Sequence, residues 1–264
     1  MPLAPEIVAL ARAHEPDRYL AALAAPAEVR DDLIALAAFA AEVRRIPRRV
    51  HDPLVGEIRL TWWRDAIEGL ARGTPAGHPL ADALAAPIRQ GHFPVPRLTA
   101  FIDAMAFDLS PAPFADDPAR EVYLGKTEGG LFRLALARLG NDSDEATIRS
   151  AATAYGLARA AVALDGPAPL VAEADLDGTG LTIHQLGGPE AAEVRRVIAE
   201  RLGRTAGEAI GRLTSKSVSP ALLPLAMVPA YRRWALRPLG APATAPITRV
   251  WRIWRTSRTG RLGD

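Results

Sequence analysis

The sequence predicts an all-α fold, and three observations carry that reading. Hydrophobic residues fill 49% of the 264 positions but aromatic residues only 6%, so the apolar content is dominated by Ala and Leu, a composition suited to close-packed helices. Val and Ile do not gather into the short alternating runs that mark strands. Apolar positions recur at helical spacing instead, in segments separated by Gly and Pro.

In chain order this spacing places helices at 17–24, 28–46, 53–72, 79–90, 95–108, 118–139, 144–165, 189–214, 219–236 and 247–258. Asp17 behind Pro16 suits the start of the first. Pro53 fits a first helical turn, where its missing N–H costs nothing, and Asp144 followed by Glu145 suits another start. Breaks fall at Gly73 to Gly77, Ser110 to Pro118, Gly140 to Ser143, and across the long Gly- and Asp-rich run from Gly166 to Gly188. Pro47 lies inside the second helical pattern, where proline removes a donor and crowds the preceding turn at a cost on the order of 3 kcal/mol. That helix is therefore expected to kink or stop between Val43 and Arg49. No sequence repeat or linker interrupts the chain, so residues 1–264 are expected to form a single domain, with 241–264 as a basic and aromatic C-terminal segment.

Several chemistries are excluded early. There is no cysteine, hence no disulfide, thiol nucleophile or Cys-bound metal. Net charge is only +2, which gives no footing for a nucleic-acid partner. No apolar run approaches the roughly 18 residues of a membrane span, and the first residues lack the pattern of a signal peptide. A cytoplasmic chain is expected. GxSxG, P-loop and GxGxxG patterns are missing. Asp175, Asp177, Thr179 and Gly180 imitate the start of a calcium loop, but Leu186 stands where the bidentate Glu belongs, so the segment reads as a turn. His14, His51, His78, His92 and His184 show no metal-ligand spacing.

Three basic or aromatic groups remain. Arg44, Arg45, Arg48 and Arg49 form either a solvated basic helix end, favourable against the helix dipole, or a patch that binds an anion such as a diphosphate or lipid headgroup without metal. Of Trp62 and Trp63, adjacent on one helix, one can enter the core while the other points elsewhere. Near the end, Trp251 and Trp254 share a face with Val250, and Arg249, Arg252, Arg255 and Arg258 repeat on another. That amphipathic segment either docks on the domain or contacts an anionic membrane or a partner.

RDDLIALAAFAAEVRRIPRRV followed by HDPLVGEIRLTWWRDAIEGLARG resembles the front of the squalene/phytoene synthase family. Tyr123, Gly125, Glu128 and the run GGLFRLALARLG resemble its middle helix, and SPALLPLAMVPAYRRWALRPLGAP with ITRVWRIWRTSRTGRL its bacterial tail, so the resemblance covers nearly the whole chain. It implies an isoprenoid (terpenoid) synthase-like helical bundle. Family enzymes join two prenyl diphosphates head to head, with two D-x-x-x-D motifs holding Mg²⁺. Aligned on Ala35, Leu36 and Phe39, this chain has Ala37 at the family's Tyr, Ala41 at its Arg, and Arg44 and Arg48 at the first pair of Asp positions. Of the second motif only Asp165 remains, followed at once by Gly166 and Pro167.

Guanidinium offers a metal no lone pair, so no catalytic residue, metal site or cofactor is expected. The GEIRLTWWRDAI and terminal Trp/Arg segments resemble most specifically the branch that includes a mitochondrial complex I assembly factor. The expectation is a catalytically degenerate binding or complex I assembly-type protein, with respiratory complex I subunits or an isoprenoid or lipid ligand as partner and a peripheral place on the inner membrane. The alternatives are a squalene/phytoene-type prenyltransferase with a non-standard diphosphate site, requiring Mg²⁺, and an isoprenoid or lipid carrier.

Overall fold

The computed structural model describes residues 3–50, 52–213, 218–237 and 245–262. His51 and the parts of 241–264 outside 245–262 lie beyond the described residues. All regular elements among them are helical: α1 Pro5–His14, α2 Pro16–Leu23, α3 Ala27–Arg49, α4 Pro53–Ala71, α5 Pro79–Ala83, α6 Ala85–Arg89, α7 Val95–Ala106, α8 Asp117–Lys126, α9 Glu128–Arg138, α10 Glu145–Val162, α11 Glu173–Leu176, α12 Ala192–Gly211, α13 Val228–Ala235 and α14 Pro246–Thr259. Short 3₁₀ segments cover Phe107–Leu109, Ile183–Gly187, Pro189–Ala191 and Pro220–Met227. The helices group into two compact units, each assembled from separate stretches of chain.

The first unit comprises Met1–Ser110, Gly130–Asp144 and Ser219–Leu223. Its spine is α3, against which α1, α2, α4, α5 and α7 pack. The Ala run of this helix explains the close approach: Ala35, Ala37, Ala38, Ala40 and Ala41 are all buried and keep neighbouring backbones near, while Phe39 fills the space between them. Phe39 meets Trp63 edge-on at 5.4 Å between ring centroids and lies 5.7 Å from Phe101. Pro47 does not break α3 at Ile46; the helix runs on to Arg49 and ends where Val50 turns extended (φ −98°, ψ 142°). The proline sits in the last turn, so its missing donor leaves little ladder beyond it to disturb. The stop falls at the edge of the expected interval.

The second unit comprises Pro111–Gly129, Glu145–Val218 and Pro224–Asp264. Here α10 is the spine, packed on α8, α12 and α13. Gly156 in α10 lies where Leu124 of α8 fills the space a Cβ would take. Asp175 knits the irregular segment to the helices: it pairs with Arg120 and with Arg201, each at 2.9 Å, and accepts the Ala172 N–H at 2.8 Å. The loop that imitates a calcium site is thus a turn stapled by arginines. Phe114 and Ala172 form an isolated parallel β-bridge, in which Phe114 N–H donates to Val171 and Glu173 N–H donates to Phe114.

Four expectations need correction. Helix α1 was not foreseen, although Pro5 at its start, Glu6 in its first turn and Arg12 in its last match the signals of a short helix. The predicted helix 79–90 is two short helices, α5 and α6, which meet at Leu84. The predicted helix 118–139 is two helices, separated at Thr127 (φ −87°, ψ −83°), whose hydroxyl donates to the Tyr123 carbonyl. Much of the predicted helix 219–236 is 3₁₀, because Pro220, Pro224 and Pro229 deny the backbone regular donors.

Candidate functional site

The sequence resemblance directs attention to α3, which holds the residues it aligns with a metal motif. Ala37 and Ala41 are each 1% exposed there, packed into the core of the first unit. Arg44 turns to Glu15, with Nη1 2.6 Å from Oε1. Glu15 is 2% exposed at the junction of α1 and α2, and Arg18 approaches its other oxygen at 3.5 Å. The Arg44 guanidinium also lies 5.4 Å from the Phe101 ring centroid, and that of Arg18 4.8 Å from Phe132. Glu15 and Arg18 were not singled out in the sequence; the signal was a carboxylate at a helix junction with basic residues around it.

The four arginines of the α3 end are therefore dispersed. Arg44 faces Glu15, Arg45 pairs with Glu42 at 3.2 Å, Arg48 is exposed, and Arg49 reaches a separate cleft. That cleft has a volume of about 270 Å³ and is lined by Glu42, Ile46, Arg49, Arg59, Trp62, Trp63 and His78. Trp63 is buried at 4% exposure while Trp62 stands out at 41%, the division expected of neighbours on one helix. The His78 ring meets both indoles edge-on, at 5.5 and 5.6 Å. Sequence reasoning missed Arg59 and His78 as cleft residues, because His78 arrives from the start of α5 rather than by local spacing. Two guanidinium groups beside an aromatic wall suit an anionic headgroup with a flat or apolar neighbour. The volume lies just below the roughly 300–1,000 Å³ of ordinary small-molecule sites, too small for two prenyl chains.

Further along α4, Arg64 binds Asp103; this hydrogen bond, opposed by partial burial, raises its pKa above the ordinary arginine value. In the second unit, Asp165 is exposed in the turn after α10 has ended at Val162. Another buried carboxylate of that unit, besides Asp175, lies nearer α10: Glu128, 5% exposed, pairs with Arg159 at 3.2 Å, and Arg159 lies 5.4 Å from the Tyr155 ring centroid. Arg159 had no sequence signal of its own.

The squalene/phytoene synthase family model matches residues 11–164, more than half of the chain. The chain belongs to the squalene/phytoene synthase family. Its described helices superpose on squalene synthase HpnC from Alicyclobacillus acidocaldarius with a TM-score of 0.66 over 96% of this chain and 94% of that one, at 17% identity. The isoprenoid synthase fold expected from the resemblance is therefore present. Complex I assembly factor 6 of Bos taurus and of Mus musculus are each 28% identical over 131 residues, and that of Homo sapiens 26%. Those matches cover 50% of this chain and 39% of each relative, so the chain spans about two fifths of the curated relatives' length.

The Mg²⁺ ions of the synthase reaction do not fit the residues present. The guanidinium groups of Arg44 and Arg48 offer a metal no lone pair, and Asp165 stands in a surface turn without a second carboxylate one helical turn on. Among the described residues, no three His, Asp or Glu side chains are gathered to hold a metal ion.

Proposed function

We propose that this squalene/phytoene synthase family member is a non-catalytic binding protein that serves as a complex I assembly-type factor. The observation that carries the reading is the Arg44–Glu15 pair: at the position that the sequence resemblance aligns with a metal-binding Asp, a cation is paired with a buried carboxylate. Similarity to complex I assembly factor 6 supports the assembly role. Purified protein given farnesyl diphosphate and Mg²⁺ is expected to release no pyrophosphate above a protein-free control. Chelator-sensitive release would overturn the non-catalytic reading. Cells deleted for the gene should accumulate less assembled complex I on native gels and recover it on re-expression. Unaltered complex I levels in the deletion strain would remove the assembly role.

A second reading draws on the Arg49/Arg59 cleft, which suits a lipid or isoprenoid anion held without turnover. Saturable binding of farnesyl diphosphate in chelator, lost in Arg59→Gln, would favour this carrier role. Absence of binding would dismiss it.

A further inference from the structure

Helix α14 is oriented the opposite way from a helix that docks to bury its apolar face. Ile247, Val250, Trp251 and Trp254 recur at i, i+3, i+4 and i+7, the spacing of one continuous stripe, and they are 72, 43, 48 and 56% exposed. The helix meets the protein instead through Ile253 and Thr256, its buried residues, with Arg249 and Arg252 half-buried on that side. Solvent therefore faces two indoles and two aliphatic side chains. Arg258 is exposed one turn beyond Trp254, and Arg255 stacks on Trp251 with its guanidinium carbon 5.3 Å from the ring centroid. From 245 to 262 the chain contains Arg249, Arg252, Arg255, Arg258 and Arg261 and no Asp or Glu. Partial burial, and after it the nearby Arg233 and Arg255, push the pKa of Arg252 below the ordinary arginine value.

We propose that the outward face of α14 is a membrane-contact surface, which lays Ile247, Val250, Trp251 and Trp254 into the interface of an anionic bilayer while Arg255 and Arg258 beside them meet lipid phosphates. A bilayer is the occupant that the charge pattern selects. Indoles belong at the headgroup level, where the ring is apolar and its N–H stays hydrated, and guanidinium groups beside them complement anionic lipid. No helix of the described residues is long and apolar enough to cross a membrane, so the contact lies along the surface. The inference holds whether or not the protein assists complex I, since it rests on α14 alone.

The test is flotation of the full chain with vesicles of phosphatidylcholine containing phosphatidylglycerol, with pure phosphatidylcholine vesicles alongside. The wild type should float with the anionic vesicles, less with the neutral ones, and less as salt screens the arginines. Trp251→Ser/Trp254→Ser, and independently Ile247→Ser/Val250→Ser, should lower the partition coefficient about tenfold or more, since each removes exposed apolar area that the bilayer would bury. These side chains are exposed, so circular dichroism melts should be unchanged. The proposal is overturned by no flotation of the wild type, by equal flotation of the α14 variants, or by loss of flotation only in Leu54→Ser/Ile58→Ser on α4. A dimer by light scattering that the Trp variants dissolve, without flotation, would assign the face to a second copy of the chain instead.

Discussion

Glu15 is almost sealed from solvent, so its charge must be balanced inside the protein. Arg44 does this at 2.6 Å and Arg18 assists at 3.5 Å. Truncation by Arg44→Ala leaves the buried carboxylate with a weaker partner and should destabilise the protein by about 1–3 kcal/mol, below the cost of a wholly orphaned charge because Arg18 remains. Replacing both ends, as Glu15→Gln/Arg44→Met, should recover much of that loss, because the desolvation penalty disappears together with the attraction. Urea denaturation of the single and double variants measures both. A double variant no more stable than Arg44→Ala would show that Glu15 holds its neighbours by hydrogen bonds more than by charge. At this scale the sequence drew attention to Arg44 and Arg48 but not to Glu15, the partner of Arg44. Glu15 lies 29 positions before Arg44, a separation that no local spacing rule spans.

Helices with strong periodicity and clean punctuation were legible as elements; those shaped by tertiary contact were not. Helix α3 was readable because a long Ala and Leu pattern runs through it, although it continues past Pro47 to Arg49 rather than ending at Ile46. Helix α1 has ten residues, too few to be stable alone, and exists because Ile7 and Ala11 are buried in a unit where α1 packs on α3. The α8/α9 break depends on Thr127 bonding its own backbone, which periodicity cannot register. The arginine spacing of α14 was visible too, yet which face looks outward is decided by what it packs on. Packing of α10 gives a test at this scale. Gly156→Ala would drive a methyl group into Leu124, itself 1% exposed, at a typical overpacking cost of about 1–3 kcal/mol, against roughly 1 kcal/mol gained from helix propensity. A net loss is expected in thermal melts. Combined with Leu124→Ala the two changes should cost less than their sum, since the methyl would occupy part of the vacated space. Strict additivity would mean that Leu124 simply swings aside.

For the whole molecule, the match to the family model ends at residue 164, whereas the structural similarity to a squalene synthase extends over 96% of the chain. Beyond residue 164 lie proline-rich 3₁₀ turns, the arginine-stapled loop and α14. The Phe114–Ala172 bridge ties this region to a residue inside the matched part, and it bears on how the region breathes. Composition alone would make residues 166–188 an easily opened loop. Yet Phe114 N–H donates to Val171 at 2.9 Å, Glu173 N–H donates to Phe114 at 2.8 Å, and Val171 and Ala172 have no exposed surface. Those two amides can exchange with deuterium only when the bridge parts, and parting it uncovers Val171, Ala172 and the Asp175 carboxylate together. Their exchange should therefore be slow and cooperative, tracking α10, while the amides of Gly178 and Gly180 in the exposed turn exchange quickly. Rapid labelling at Phe114 and Glu173 would mean that the bridge is a passing contact rather than a fastening.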